Sequence, residues 1–119
     1  MQQDREPKVL NDMENLEDFC AIKSTLSIID GKWTLWILRE LLTGPKRFGE
    51  LLRAFEGVSP KTLTLRLKQL EEEGIILRVL YPEIPPRVEY SLTEKGEQLR
   101  PIFNEMRNWG KAWLHHNKG

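Results

Sequence analysis

The chain has little of what most functional classes of protein require. Its 119 residues include a single cysteine, Cys20, so an intramolecular disulfide is excluded and the fold must rest on packing. No apolar run approaches the roughly 18 to 20 residues of a membrane span, and the N-terminus is polar where a signal peptide would be apolar. We therefore expect one soluble, cytoplasmic domain with its own core and no membrane partner.

Catalytic and metal-binding motifs are missing as well. The segment GKWT ends like a phosphate-binding loop, but Trp33 and Leu26 occupy the places that such a loop gives to Ser or Thr and to Gly. His115 and His116 are adjacent near the end of the chain, with no further ligand at metal-binding spacing. No nucleophile or HExxH arrangement is found. The sequence therefore predicts no enzyme activity, no metal and no cofactor.

Net charge is also lacking, because 18 basic residues balance 18 acidic ones. A zero balance by itself argues against a nucleic-acid partner, but the charges are unevenly placed. Residues 1–20 carry six acids against two bases, an excess of four negative charges. Residues 32–68 carry eight bases against three acids, an excess of five positive charges. The middle of the chain is therefore the candidate surface for a polyanion, although most charge runs are only solvated faces.

Hydrophobic periodicity predicts a mainly α chain with a small β-hairpin. Apolar residues spaced three and four apart indicate helices within residues 20–30, 32–45 and 47–57. Another helix follows almost at once, because Ser59 is a good N-cap and Pro60 fits the first helical position. Two helices joined by so short a turn predict a helix-turn-helix motif.

The second half of the chain predicts a hairpin and a terminal helical region. Residues 75–81 and 87–92 are rich in β-branched and alternating apolar residues, and a proline-rich loop separates them. Thr93 is placed to cap a last helical region that extends through Trp113. Pro101 either kinks that region or starts its second half.

The helix that begins after Ser59 has two distinct faces. At 100° per residue, Leu63, Leu67 and Leu70 fall within about 60° of one another and must face the core. The outward side carries Lys61, Leu65 and Lys68, flanked by Thr62, Thr64, Arg66 and Gln69. Glu72 lies on that side at the far end, where phosphates would repel its carboxylate. The helix is therefore predicted to approach DNA by its N-terminal turns, although an ordinary amphipathic helix would show the same pattern.

Basic residues outside this helix extend the predicted surface. Arg78 and Arg87 flank the proline-rich loop, and a basic wing would meet the DNA backbone or the minor groove. Lys46 and Arg47 are further phosphate candidates, and Leu65 could contact a thymine methyl group. The candidate DNA-binding residues are Lys46, Arg47, Ser59, Lys61, Thr62, Thr64, Leu65, Arg66, Lys68, Gln69, Arg78 and Arg87.

The last helical region carries an apolar seam. Leu99, Ile102, Met106, Trp109 and Trp113 are spaced three, four, three and four apart, which is the pattern of a helix packing on another helix. Packing within the same chain would give the same spacing. Because the earlier helices already provide a core, the seam favours a dimer interface, where Trp and Met are enriched. A two-fold dimer would present its two DNA-reading helices about 34 Å apart and require a palindromic site.

Several short segments stand in a specific order along the chain. They are Gly31-Lys32-Trp33, Gly44-Pro45 with Arg47-Phe48, the cap at Ser59, Gly74, Pro85-Pro86 before Val88-Glu89-Tyr90, and Leu92-Thr93 with Gly96. With this ordered set, residues 20–113 resemble the HxlR-type winged helix-turn-helix transcriptional regulators. The resemblance implies an acidic N-terminal arm over residues 1–19, a winged helix-turn-helix domain over 20–92, and a C-terminal dimerisation helix with a tail over 93–119.

The resemblance also implies how such a protein works. It implies a homodimer, joined by N- and C-terminal helices, that binds a near-palindromic operator in double-stranded DNA. The residues placed where the family's recognition helix meets the groove are Lys61, Thr62, Thr64, Arg66 and Lys68. It implies as well a sensor role for Cys20, although Ala21 follows this cysteine where many relatives have proline.

The chemistry of Cys20 points both ways. A helix N-terminus and Lys23 would favour the thiolate, whereas Glu17 and Asp18 would oppose it. Free cysteines are also common as small apolar residues without a reactive role. If Cys20 is a sensor, it can form a disulfide only with another molecule, such as the dimer mate, or carry an adduct.

Two other functions stay open. The zero net charge and an outward-facing Leu65 would suit a winged-helix module that contacts proteins. A pocket near the tryptophans of the dimer seam would suit a regulator that responds to a non-covalent small molecule. The sequence identifies neither an inducer nor the sign of regulation.

Overall fold

The computed structural model describes residues 15–114, which contain helices and one small sheet. In chain order the elements are α1 (Leu16–Ile29), α2 (Lys32–Leu41), β1 (Lys46–Arg47), α3 (Phe48–Ala54), α4 (Pro60–Glu72), β2 (Ile76–Tyr81), β3 (Arg87–Leu92), α5 (Glu94–Glu97) and α6 (Leu99–Trp113). The chain divides into two compact units, and the boundary lies within α2, after Leu35. The predicted acidic arm over residues 1–19 lies mostly outside the described residues, as do His115 and His116.

The first unit contains α1, which begins four residues earlier than predicted. The side chain of Asn15 accepts hydrogen bonds from the backbone N–H groups of Glu17, at 2.8 Å, and Asp18, at 3.2 Å. Both acids then lie in the first turn, where the helix dipole favours negative charge. Cys20 is consequently the fifth residue of α1 and is not at its N-terminus. The prediction that a helix N-terminus stabilises the Cys20 thiolate is therefore wrong.

The core of the second unit is formed by side chains of α2, α3 and α4 together with those at the start of β2. Its fully buried side chains are those of Ile37, Leu38, Leu41, Leu51, Leu63, Leu67, Ile75 and Ile76. Leu70 is buried beside them, which confirms the predicted inward face of α4. Each of these aliphatic side chains contributes about 1.5 to 3 kcal/mol by leaving water. Burial therefore fixes which side of α4 is left for solvent.

The sheet has three antiparallel strands in the order β1-β3-β2. The predicted hairpin is confirmed, and its register joins Ile76 to Leu92 at one end and Tyr81 to Arg87 at the other. The third strand, β1, was not predicted and pairs with β3 through Lys46 and Tyr90. As a result α3 begins at Phe48, one residue later than predicted, and its start is closed by a hydrogen bond from the backbone N–H of Arg47 to Glu50 Oε1, at 2.8 Å.

The predicted last helical region is interrupted. Thr93 caps α5 as predicted, because its Oγ1 accepts a hydrogen bond from the N–H of Gly96, at 3.1 Å. The break falls at Gln98, and Pro101 is the third residue of α6. In a first turn the backbone N–H has no helical acceptor, so a proline there costs no hydrogen bond. Pro101 therefore stands at the start of α6 and does not kink it.

The order α3, turn, α4 and hairpin is that of a winged helix-turn-helix domain. The turn between α3 and α4 includes Gly57, at φ +93°, a backbone conformation that favours glycine. The hairpin β2–β3 follows α4 directly and forms the wing. Among residues 15–114, no helix is both long enough and apolar enough to cross a bilayer.

Candidate nucleic-acid interface

The start of α4 is fixed by its cap. Ser59 Oγ accepts a hydrogen bond from the N–H of Thr62 at 3.0 Å, and the same hydroxyl donates to Thr62 Oγ1 at 3.0 Å. Pro60 occupies the first helical position. The predicted N-cap is confirmed, and both hydroxyl groups are engaged with each other at the point where the helix begins. Ser59 therefore has a clear role in orienting α4.

The outward face of α4 gathers most of the predicted DNA-binding residues. Because Leu63, Leu67 and Leu70 are buried, the remaining side chains must project from the opposite side. Lys61, Thr64, Leu65, Lys68 and Gln69 are exposed, and Thr62 and Arg66 are half-buried. Leu65 is 49% exposed although it is apolar. One helix face thus presents cations, hydroxyls, an amide and an aliphatic group together, which is the mixture that base edges and phosphates contact.

One pair on this face is already hydrogen-bonded. Arg66 Nη1 donates to Gln69 Oε1 at 3.1 Å. A guanidinium has five N–H donors, so this bond leaves most of them available. The partner is neutral, so this bond does not compensate the positive charge of Arg66.

Charge divides α4 along its length. Residues 60–70 contain no acid, whereas Glu71, Glu72 and Glu73 follow one another at the carboxyl end. The helix dipole adds positive potential at the amino end and negative potential at the carboxyl end. A phosphate backbone is therefore attracted to the first turns of α4 and repelled by the last.

The two basic residues of β1 lie on opposite faces of the sheet, because side chains alternate along a strand. Lys46 is half-buried, and its Nζ donates to Thr43 Oγ1 at 2.7 Å. Arg47 is exposed. Of the two, Arg47 is the freer candidate for a phosphate contact, while the Lys46 side chain is held by the loop before the strand.

The wing differs from the predicted arrangement at Arg87. Its Nη2 lies 2.9 Å from Glu83 Oε2 and its Nη1 lies 3.1 Å from Glu89 Oε2. The guanidinium also stacks on the ring of Tyr81, 4.1 Å from the centroid, and the side chain is only 25% exposed. Two carboxylates neutralise the charge that was predicted to meet DNA. Arg87 therefore holds the wing together, and Arg78, exposed on β2, is the wing's available cation.

The tip of the wing is apolar. Ile84 is fully exposed between Glu83 and the two prolines at 85 and 86. No pattern in the sequence points to Ile84, since an isolated isoleucine in a loop has no periodic context. The fully exposed side chain makes Ile84 a candidate for groove contact, because apolar side chains are among those that enter the minor groove.

The C-terminal helix carries most of the predicted seam on its surface. Ile102, Met106, Trp109 and Trp113 are all exposed, Trp113 by 71%. Leu99 is different, because it is only 8% exposed and contributes to the core of its own chain. The exposed seam therefore begins at Ile102, and Leu99 is removed from the predicted dimer interface.

The region around Cys20 is also open. Cys20 is exposed, and four apolar residues of α1 are exposed with it, namely Leu16, Phe19, Ile22 and Leu26. Among residues 15–114, no group of three or more His, Cys, Asp or Glu side chains is placed to hold a metal ion.

Comparison with known proteins decides the family. The protein-family model described as HxlR-like helix-turn-helix matches residues 28–118, which are most of the chain. The chain belongs to the HxlR-like helix-turn-helix family. An HTH-type transcriptional regulator of Synechocystis is 53% identical over 95 residues, which cover 80% of this chain and 70% of the relative.

Solved structures of transcriptional regulators have a similar fold. The reduced form of the transcriptional regulator YodB from Bacillus subtilis is 37% identical, with a TM-score of 0.77 over 82% of this chain and 96% of that one. The redox regulator HypR in its reduced form is 41% identical, with a TM-score of 0.72 over 77% of this chain and 91% of that one. This HxlR-like chain is accordingly a transcriptional regulator of the helix-turn-helix type, a class that implies DNA binding and not catalysis.

Proposed function

We propose that the protein is a homodimeric, sequence-specific regulator that reads a near-palindromic operator with the amino-terminal half of α4. The observation that carries the proposal is the acid-free outward face of residues 60–70, whose direction is fixed by the buried leucines on the other side. Lys61, Thr64 and Lys68 approach the major groove, and Arg47 and Arg78 contact phosphates beside it. The exposed Leu65 meets a thymine methyl group.

The dimer forms through the exposed seam of α6. Ile102, Met106, Trp109 and Trp113 lie along one side of that helix and are exposed in the single chain. An exposed row with two tryptophans is unusual for a monomer, since such patches mark interaction sites. The exposed apolar residues of α1, an N-terminal helix, add to the same dimerisation. The two-fold axis then makes the operator near-palindromic.

A footprint on the upstream region of the protein's own gene tests the proposal. Hydroxyl-radical cleavage should show two protected half-sites of related sequence, with centres about 10 base pairs or a multiple of one helical turn apart. Protection should disappear as salt is raised, because phosphate contacts release counterions. Protection that is uniform along the fragment, or absent at every salt concentration, would contradict sequence-specific binding.

We further propose that modification of Cys20 changes DNA binding. The thiol is exposed on α1, and the structural neighbour HypR is a redox regulator. As the single cysteine of the chain, Cys20 can form a disulfide only with a second molecule. In that step two thiols lose two electrons and two protons to the oxidant, and one S–S bond forms between them.

Treatment with diamide tests the thiol proposal. Diamide should lower the operator affinity of the wild type by about tenfold or more, equivalent to about 1.4 kcal/mol, and the variant Cys20→Ser should bind equally well with and without the oxidant. Non-reducing electrophoresis would show whether two chains become linked. Equal sensitivity of both proteins to diamide would exclude Cys20 as the switch.

A further inference from the structure

The carboxyl end of α4 is electrostatically unfavourable as it stands in the sequence. Residues 69–73 read QLEEE, so the end that the helix dipole makes negative carries three acids and no base. Two backbone hydrogen bonds close this end, from Gly74 N–H to the Glu71 carbonyl at 3.0 Å and from Ile75 N–H to the Leu70 carbonyl at 2.9 Å. The carbonyls of Glu73 and Gly74 lie beyond that closure and need other donors.

Those donors come from the segment that leads into α6. Lys95 Nζ donates to the carbonyl oxygen of Glu73 at 2.7 Å, across 22 positions of sequence. Thr93 Oγ1 lies 2.6 Å from the Gly74 carbonyl oxygen and 3.1 Å from that of Ile75. A hydroxyl has one proton, and the shorter contact identifies Gly74 as its acceptor. Lys95 thus supplies the cation that the last turn of α4 does not contain.

The backbones also meet closely at this junction. The N–H of Thr93 donates to the Ile75 carbonyl at 3.0 Å, and a Cβ added at Gly96 would overlap the same carbonyl oxygen. Arg100, in the first turn of α6, pairs with Glu97 at 3.0 Å and donates to the Leu42 carbonyl, which follows α2, at 3.0 Å. The short helix α5 is therefore tied by side chains to the carboxyl end of α4, and the start of α6 is tied to the carboxyl end of α2.

We propose that Thr93 and Lys95 are positioning residues for DNA recognition, which hold the carboxyl end of α4 against α5, the short helix that leads into α6. The inference rests on the proposed function of α4 as the DNA-reading helix. Neither side chain needs to touch DNA, because each acts through the end of α4. A shift of α6 that carries α5 with it must move or break these hydrogen bonds, and the direction of α4 would then respond to the helix whose exposed seam is available to a partner.

Amide hydrogen exchange of the protein without DNA tests whether Lys95 holds the carboxyl end of α4. Lys95→Met removes the ammonium but keeps an unbranched side chain of similar length, and it should speed exchange at residues 70–75 by about fivefold. Lys95→Arg should restore protection, because a guanidinium can also donate to the Glu73 carbonyl. Lys111→Met serves as the matched control, since Lys111 is exposed on α6 and projects about 160° away from both Trp109 and Trp113.

Operator titrations of the same variants test the link to recognition. Lys95→Met should lower operator affinity by about fivefold, with the same dependence on salt as the wild type, while Lys111→Met should change neither quantity. A salt slope smaller by about 0.9 per protomer would mean that Lys95 contacts a phosphate directly, and this result would overturn the inference. So would unchanged exchange at residues 70–75 in Lys95→Met.

Failure of the proposed function would look different. A wild-type protein that binds no promoter duplex in preference to another overturns the function of α4 and, with it, the role of Lys95 in recognition. The exchange result in the free protein is independent of that outcome and would still show whether Lys95 and Thr93 hold α4. Thr93→Val provides a second comparison, since it keeps the β-branched shape but loses the hydroxyl that caps α5 and contacts Gly74.

Discussion

Three neighbouring side chains determine the role of Arg87 in the wing. Taken alone it is one of two arginines that flank a loop, and a phosphate contact is the natural expectation. Glu83 and Glu89 compensate its charge, and Tyr81 lies against the guanidinium plane. Arg78 occupies the other strand without a comparable environment and is exposed. The two arginines therefore differ in environment although they have the same charge, and we expect them to differ in function.

The salt dependence of operator binding separates these two residues. Arg78→Ala should reduce the magnitude of the slope of log K against log salt by about 0.9 per protomer, because one phosphate contact is lost. Arg87→Ala should leave that slope unchanged and lower the midpoint of thermal unfolding, because the wing loses its ion pairs and the stacking on Tyr81. Equal slope changes in the two variants would contradict the assignment.

Two leucines of α4 give a second contrast between single residues. Leu67 is 1% exposed, and Leu67→Ala should cost about 2 to 5 kcal/mol of unfolding free energy because it leaves a cavity. Leu65→Ala should stay within about 0.5 kcal/mol of the wild type but weaken operator binding, because the contact with a thymine methyl is lost. Urea denaturation followed by titration of the folded variants checks both. A Leu65→Ala protein with unchanged operator affinity would remove Leu65 from the interface.

At the scale of elements, α4 was predictable because its determinants are local. The cap at Ser59, the proline after it, the period of the buried leucines and the stop at Gly74 all lie within the helix or next to it. Those features determine both its bounds and the face that it leaves exposed. The same locality made the β2–β3 hairpin predictable.

Other elements could not be predicted because distant residues determine them. The strand β1 has two residues, too few for a period, and exists because β3 pairs with it. Arg87 is a different case, because Glu83 and Glu89 are close to it in the sequence, but only the folded hairpin brings both carboxylates to the guanidinium. The contact of Lys95 with the end of α4 spans 22 positions and has no local pattern. The exposed face of α4 could therefore be predicted from the sequence, whereas the contacts that hold the helix in place could not.

The cap of α4 gives a prediction at this scale. Ser59→Ala should lower the unfolding free energy by about 1 kcal/mol, because the N–H of Thr62 loses its acceptor. Ser59→Asp should keep the stability, since a carboxylate accepts the same bond and suits the helix dipole, but it should weaken operator binding by placing a negative charge at the groove. Chemical denaturation and anisotropy titration of both variants measure the two effects. A stable, tightly binding Ser59→Asp protein would show that DNA does not approach the start of α4.

For the whole molecule, assembly through α6 is what would place two copies of α4 on a near-palindromic operator. Replacing Trp109 by glutamate puts a charge in the middle of the exposed seam and should convert the dimer to a monomer in sedimentation velocity, because an unpaired charge cannot be buried there. Lys111→Glu, on the other side of α6, should remain dimeric. The far-ultraviolet circular dichroism of Trp109→Glu should match the wild type, since Trp109 is 60% exposed in the single chain. A dimeric Trp109→Glu protein would place the interface elsewhere.

One titration tests whether the amino-terminal half of α4 reads the operator. The wild type and the double variant Lys61→Glu, Lys68→Glu are titrated by fluorescence anisotropy against the footprinted fragment and a scrambled fragment at two salt concentrations. The account predicts that the wild type binds the first fragment with a Kd below about 10⁻⁷ M and that the double variant, still dimeric, shows no preference between the two. A double variant that keeps the wild-type preference would contradict the claim and would leave this face of α4 free for a protein partner.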